Sequence, residues 1–97
     1  MDEAAVRDHA TRHGEAVVVR NLRQAAGDVA PEAGAKARQV MGELPDPLSS
    51  ADVTAIVADG EGFRVTIRYR GEGEETTVES SWAERDGRPV IVDLRTV

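Results

Sequence analysis

Hydrophobic residues in the first half of the chain recur at helical spacing. An apolar stripe that falls on one face of a helix predicts a first helix from Asp2 to about Val19. The stripe consists of Ala5, Val6, Ala10, Ala16 and Val17. Asp2 suits the N-cap because its carboxylate accepts hydrogen bonds from the free backbone N–H groups of the first turn. A second, short helix is predicted from Asn21 to Ala26 and is stopped by Gly27.

A third helix is predicted from Pro31 to Leu44. Proline is favoured in the first turn of a helix, and either Asp28 or Ala30 is a candidate cap. The buried face of this helix is expected to contain Ala33, Ala37, Val40, Met41 and Leu44. The Pro-Asp-Pro segment 45–47 then ends the helix, because proline removes a backbone donor.

The second half of the chain alternates between apolar and polar residues, which is typical of strands. Strands are predicted at residues 53–58, 63–70, 75–83 and 89–97. Asp86 and Gly87 form the strongest hairpin signal in the chain. Helices at about 2–44 followed by strands at about 52–97 indicate an α+β fold, in which the helices cover one face of a four-stranded antiparallel meander.

Turn lengths predict which residues of neighbouring strands lie opposite each other. The predicted pairs are Phe63–Trp82, Ile67–Val78, Trp82–Ile91 and Ser80–Asp93. One face of the sheet then carries Phe63, Val65, Ile67, Tyr69, Val78, Trp82 and Ile91. This face is expected to be the core beneath the helices, and it is also the wall of any ligand pocket there.

The last strand places Val90, Val92 and Leu94 on the opposite face. Three aligned aliphatic residues on an exposed face need a cover. A bulge in the last strand would rotate them inward. Burial against a second subunit is the favoured alternative, because a core this small makes self-association attractive, so a homodimer through the outer sheet face is expected.

Composition narrows the classes of function. The 97 residues fit one domain, and the formal net charge of −6 offers no positive field for nucleic acid. Without cysteine there are no disulfides and no thiolate metal ligands. Neither a signal peptide nor a membrane-spanning run is visible, so a cytoplasmic location is expected. Arginine outnumbers lysine eleven to one, which is typical of GC-rich bacterial genomes.

Few residues are candidates for chemistry. His9 and His13 share a helix face, but too few further ligands accompany them, and no metal or other cofactor is expected. The predicted register buries Asp93, which would raise its pKa and suit it to act as a general base. Tyr69 or His13 would be the hydrogen-bond donor in the same pocket. Arg64, Arg68 and Arg70 are interpreted as a solvated ion-pair face.

The last hairpin carries a family resemblance. Its sequence, SWAERDGRPVIV at residues 81–92, resembles the closing hairpin of the nuclear transport factor 2-like superfamily, although Pro89 stands where an aromatic residue is common. The order of helices and strands is also similar over most of residues 1–97. The resemblance implies a curved, cystatin-like sheet with a pocket between the first helix and its concave face, and dimers formed through the sheets. The chain is short for that family and lacks an acid–His or acid–Tyr set at matching positions, which implies a reduced pocket.

These observations predict a non-catalytic dimerisation or interaction module whose reduced pocket holds a small apolar ligand. The expected pocket residues are Phe63, Val65, Ile67, Tyr69, Val78 and Trp82, and the expected dimer interface consists of Val90, Val92 and Leu94. The alternative is an isomerase- or hydratase-type enzyme with Asp93 as its general base. No nucleic acid and no membrane are expected as partners.

Overall fold

Three helices precede four strands in the computed structural model, which describes residues 1–97. The helices are α1 (Glu3–Val18), α2 (Leu22–Gly27) and α3 (Gly34–Glu43), with a single 3₁₀ turn at Pro31–Ala33 before α3. The strands are β1 (Leu48–Asp59), β2 (Gly62–Gly71), β3 (Glu74–Arg85) and β4 (Arg88–Thr96). The predicted α+β class is confirmed. None of the helices combines the length and the hydropathy that crossing a bilayer requires.

Side-chain caps fix the starts of the first two helices. The Asp2 carboxylate accepts a hydrogen bond from the backbone N–H of Ala5 at 2.8 Å, as predicted. The Asn21 side chain caps α2 by accepting from the Gln24 N–H at 3.3 Å. The predicted third helix is divided, because Pro31 begins a tight 3₁₀ turn and the regular α-helix starts only after it.

The four strands form one antiparallel sheet in the order β1-β2-β3-β4, so each strand pairs with its neighbour in sequence. This arrangement is the predicted meander. Three predicted register pairs are observed, namely Phe63–Trp82, Ile67–Val78 and Trp82–Ile91. β1 is longer than predicted, since it begins at Leu48 rather than Val53. Its first residues have weak strand propensity and become a strand by pairing with β2.

The fourth predicted pair, Ser80 with Asp93, is wrong because β4 contains a bulge. Ser81 lies opposite Asp93, and Val92 is an extra residue in β4. Such an insertion reverses the facing of the residues that follow it. Leu94 consequently joins the core, opposite Ser80, and Asp93 lies on the outer side with its carboxylate in solvent.

The aliphatic stripe that the sequence predicted on the outer face is not exposed, and the bulge accounts for the burial of Leu94, the one member of the stripe that follows it. Val90 is 5% exposed and Leu94 is 8% exposed, and Leu94 packs within the main core cluster. Val92 is half-buried. The prediction that these three residues form an exposed stripe is therefore wrong: the chain itself covers most of their surface.

The core lies between the helices and the inner face of the sheet. Its largest fully buried side chains are Trp82, Ile91, Val6 and Val65. Gly14 interrupts the apolar stripe of α1 because the helix closely approaches β1 there. A Cβ atom on Gly14 would lie 3.1 Å from the Cβ of Ala51, which is tighter than ordinary van der Waals contact. The close approach offsets the conformational cost of this glycine.

The outer face of the sheet is polar and carries ion pairs of Arg64 and Arg70, as expected. Arg68 departs from the expectation, because it forms no ion pair and its Nε is buried without a hydrogen-bond partner. The ion pairs of this face are Arg64–Glu79 at 4.0 Å, Arg70–Glu75 at 3.5 Å and Arg95–Glu79 at 3.1 Å. All of these side chains have substantial contact with solvent, so each pair contributes little to stability. The helix-covered face, rather than this one, has the features of a binding site.

Candidate functional site

A cavity of about 410 Å³ lies between the helices and the inner face of the sheet, and it opens to solvent. Its floor consists of Ile67, Tyr69, Val78, Ser80, Ile91 and Leu94. Its roof and rim are supplied by all three helices and by the 3₁₀ turn. Fifteen of its twenty lining residues are hydrophobic, so the cavity favours apolar surface over water.

Three of the six sheet residues that the sequence predicted for a pocket line this cavity. These three are Ile67, Tyr69 and Val78. Val65 does not line it, because its side chain is fully buried in the core. Phe63 and Trp82 border a separate, more polar recess of about 470 Å³ at the other end of the sheet. The two rings therefore pack in the core beside the cavity and do not line it.

The most distinctive polar group of the cavity wall is His13. It is 7% exposed, and its Nδ1 lies 3.0 Å from Oδ2 of Asp28. Because a carboxylate can only accept, the Nδ1–H donates, and Nε2 carries the free lone pair of the neutral ring. The ring also packs edge-on against Trp82, with centroids 6.1 Å apart and an interplanar angle of 86°. Hydrogen bond and packing together fix the orientation of the imidazole.

Backbone hydrogen bonds to β4 hold Asp28 in place. Its carbonyl accepts from the N–H of Ile91 at 2.7 Å, and the N–H of Ala30 donates to the carbonyl of Ile91 at 2.8 Å. The segment after α2 thus forms a short parallel bridge with the edge strand. The 3₁₀ turn that follows contacts β3, because Arg85 donates two hydrogen bonds to the carboxylate of Glu32. These hydrogen bonds lower the pKa of Glu32 to about 2.

Sequence reasoning missed Asp28 as a site residue and regarded it only as a candidate helix cap. Fifteen positions separate it from His13, and no local pattern joins the two. One signal for His13 was available. It continues the buried stripe of α1 with the spacing Val6, Ala10, His13, Val17, which places the imidazole on the core side of the helix. A histidine on that face needs a polar partner, and Asp28 supplies it.

Two hydroxyl groups complete the polar part of the cavity. The Ser80 hydroxyl donates to the Val65 carbonyl at 3.3 Å and accepts from the Trp82 indole N–H at 2.9 Å, so its donor is already used. Tyr69 is 3% exposed, and burial raises its pKa above the ordinary range. No residue of the chain hydrogen-bonds to its phenol, which leaves this hydroxyl available to the contents of the cavity.

The structure contradicts the predicted place of Asp93. Its side chain is 55% exposed and lies outside the cavity. The carboxylate accepts from Nζ of Lys36 at 2.7 Å and from the N–H of Leu94 at 3.0 Å. The hydrogen bond from Lys36 is the main reason why the pKa of Asp93 lies below its ordinary value, whereas burial would have raised it. Asp93 cannot act as a general base inside this cavity.

The two histidines of α1 do not form a joint site. Nδ1 of His9 lies 2.9 Å from the carbonyl oxygen of Ala5 on its own helix, while His13 pairs with Asp28. No group of three or more His, Asp or Glu side chains is arranged to hold a metal ion.

Comparisons of the chain with models of protein families, with curated proteins and with solved structures found no match. The grounds for a function are therefore the fold and the residues of the cavity. Those residues form an apolar chamber, open at one side, that holds one oriented imidazole and one unbonded phenol.

Proposed function

We propose that this domain binds a small, largely apolar molecule in the cavity beneath its helices and has no reaction of its own. The observation that carries the proposal is an open cavity of about 410 Å³ in which fifteen of twenty lining residues are hydrophobic. Volumes of roughly 300–1,000 Å³ with a few placed polar groups are usual for small-molecule sites. Water in such a chamber finds few hydrogen-bond partners, so an apolar ligand displaces it favourably.

A variant that fills the cavity tests the proposal. N-phenyl-1-naphthylamine, a neutral dye that fluoresces in apolar surroundings, is expected to bind the wild-type chain saturably at one site. Ala37 lines the cavity from α3, and Ala37→Phe places a ring within it. The affinity for the dye is expected to fall by roughly tenfold or more, since the new ring occupies space that the dye would fill, and the burial of one such apolar group contributes about 1.5–3 kcal/mol.

Ala35→Phe is the matched control, because Ala35 is exposed on the same helix and does not line the cavity. Its dye affinity should equal that of the wild type. Equal affinities in all three proteins, or no saturable binding by the wild type, would exclude the cavity as the binding site.

A second function is favoured by one observation, the buried His13–Asp28 pair. In this alternative the domain is an isomerase- or hydratase-type enzyme, and His13 replaces Asp93 as the base. The Asp28 carboxylate selects the tautomer in which Nε2 can take a proton from a bound molecule. Cyclohexanone in deuterated water should then exchange hydrogen for deuterium at the carbons next to its carbonyl group, which NMR detects. The variant His13→Gln should lack this exchange. Equal exchange in both proteins would count against catalysis.

We also retain two hypotheses at the level of family and assembly. Membership of the nuclear transport factor 2-like superfamily is supported by helices that precede a meander and by a cavity between them. A homodimer is supported by the small core of a 97-residue chain. The homodimer no longer has the support of an exposed stripe, because Val90 and Leu94 are buried within the chain.

A further inference from the structure

Arg38 is the only permanently charged residue among the twenty that line the cavity. It belongs to α3 and is exposed, so it lies at the opening and not in the interior. Its Nη1 would lie 3.7 Å from a Cβ atom on Gly34, one turn earlier in the helix. Gly34 also lines the cavity, so the guanidinium lies along the rim.

No carboxylate of the chain neutralises Arg38. Exposed arginines of α1 pair with an acid one turn away, as Arg7 does with Glu3. Lys36, two positions before Arg38, is paired with Asp93 at 2.7 Å. Arg38 has no such partner, because the residues three and four positions away are Gly34, Ala35, Met41 and Gly42. The guanidinium is therefore free to pair with a group that does not belong to the chain.

We infer that the ligand is an amphipathic carboxylate, held by Arg38 at the rim while its apolar body occupies the cavity. This inference rests on the proposed function and names the chemical class of the ligand. The planar fork of arginine binds a carboxylate through two parallel hydrogen bonds. At the rim the carboxylate keeps part of its water, so it avoids the cost of burying a charge. A body of roughly eight carbon atoms is well below the drug-sized ligands that such cavities hold.

The negative net charge of the chain helps to identify the group that would favour a carboxylate. With a formal net charge of −6, the chain as a whole repels anions. Any selective gain for a carboxylate must therefore come from a local group at the cavity, and a permanent cation is the strongest group of this kind. Arg38 is the sole candidate of that kind among the lining residues.

The test compares octanoate with 1-octanol, which have the same number of carbon atoms and differ in charge. Each compound is titrated against bound N-phenyl-1-naphthylamine, and the concentration that displaces half of the dye is measured. Arg38→Gln is expected to raise this concentration about fivefold for octanoate and to leave it unchanged for 1-octanol. Arg38→Lys should recover part of the loss, because it restores the charge without the fork.

Arg23→Gln is the matched control. Arg23 lies in α2, is exposed, forms no ion pair in the chain and does not line the cavity, so its loss changes the net charge equally. The inference is overturned if Arg38→Gln leaves the ratio of the two concentrations unchanged, or if Arg23→Gln shifts it as much. It is also overturned if 1-octanol displaces the dye and octanoate does not, although the proposed function would then stand. If the dye itself does not bind to the wild-type chain, the proposed function fails as well.

Discussion

Individual residues show that partners and burial, more than residue type, decide the chemistry of this molecule. His13 and His9 are one helical turn apart, yet His13 has a carboxylate partner at the cavity wall and His9 contacts only its own helix. Asp28 and Asp93 each accept a hydrogen bond from a basic side chain, but only Asp28 does so at the cavity. Inside the cavity, the polar side chains that keep an atom free for a ligand are therefore His13, oriented by Asp28, and Tyr69.

Tyr69 leads to a prediction about alkaline pH. Burial raises its pKa in the folded chain above the ordinary value of 10.0. Below that ordinary value the phenol is protonated in both states, and its contribution to stability is complete. As the pH rises above it, the unfolded chain loses the proton first, so the free energy of unfolding falls until the folded phenol also ionises. Tyr69→Phe should lack this loss and keep its stability at neutral pH, because the hydroxyl has no partner in the chain.

Urea unfolding of both proteins at neutral and alkaline pH provides the measurement. The difference between them isolates Tyr69 from the other groups that titrate there. Tyr69 is the only tyrosine, so tyrosinate absorbance reports its ionisation directly. A folded chain whose tyrosine ionises at the ordinary pKa would contradict this account.

Among the elements, the nine-residue strand β4 has a large influence on the geometry of the cavity. One extra residue in it exchanges the positions of an acid and an aliphatic side chain. Leu94 thereby completes the cavity floor, and Asp93 becomes available to Lys36 on α3. The same strand holds the segment of Asp28 through its backbone, so β4 positions both the floor of the cavity and the partner of His13.

Two substitutions in β4 distinguish the bulged register from the regular one. Leu94→Ala should lower the free energy of unfolding by about 2–3 kcal/mol, since it truncates a core side chain. Asp93→Asn should change it by less than about 1 kcal/mol, because the Lys36 pair is largely exposed and screened by water. Urea denaturation measures both values. In a regular strand Asp93 would be buried and Leu94 exposed, so the larger change in the free energy of unfolding would come from Asp93→Asn.

The whole molecule is a two-layer structure with different faces. Helices and an apolar cavity occupy one side of the sheet, and ion pairs such as Arg70–Glu75 occupy the other. A chain of this size buries only about 60–65% of its unfolded surface, so its core contributes modest stability. Association with a second copy is one way to bury more.

Light scattering tests the proposed homodimer at this scale. We expect the mass of two chains, and Val92→Arg should halve it if the interface includes the half-buried bulge residue of β4. Val57→Arg is the control, because Val57 is 49% exposed on the opposite edge strand, β1. The mass of a single chain for the wild-type protein would refute the dimer. An unchanged dimer in Val92→Arg would remove β4 from its interface.

The sequence by itself determined most of the elements and most of the sheet. The apolar spacing of Val6, Ala10 and Val17 determined α1, and strict alternation determined β2, because these periods reflect backbone geometry alone. Short turns then fixed the pairs Phe63–Trp82 and Ile67–Val78. Local rules suffice where a hydrogen-bond pattern continues without interruption.

Tertiary structure alone decided the bulge, the cavity and the partner of His13. The sequence raised a bulge in the last strand only as the alternative to a dimer interface, and the pairing with β3 decides that it forms, at Val92. The cavity exists because three short helices cover the sheet incompletely, which no single element encodes. Asp28 reaches His13 only because its segment pairs with β4, sixty-three positions later at Ile91. Such contacts depend on how separate elements pack together, and packing is a property of the complete fold rather than of any local stretch of sequence.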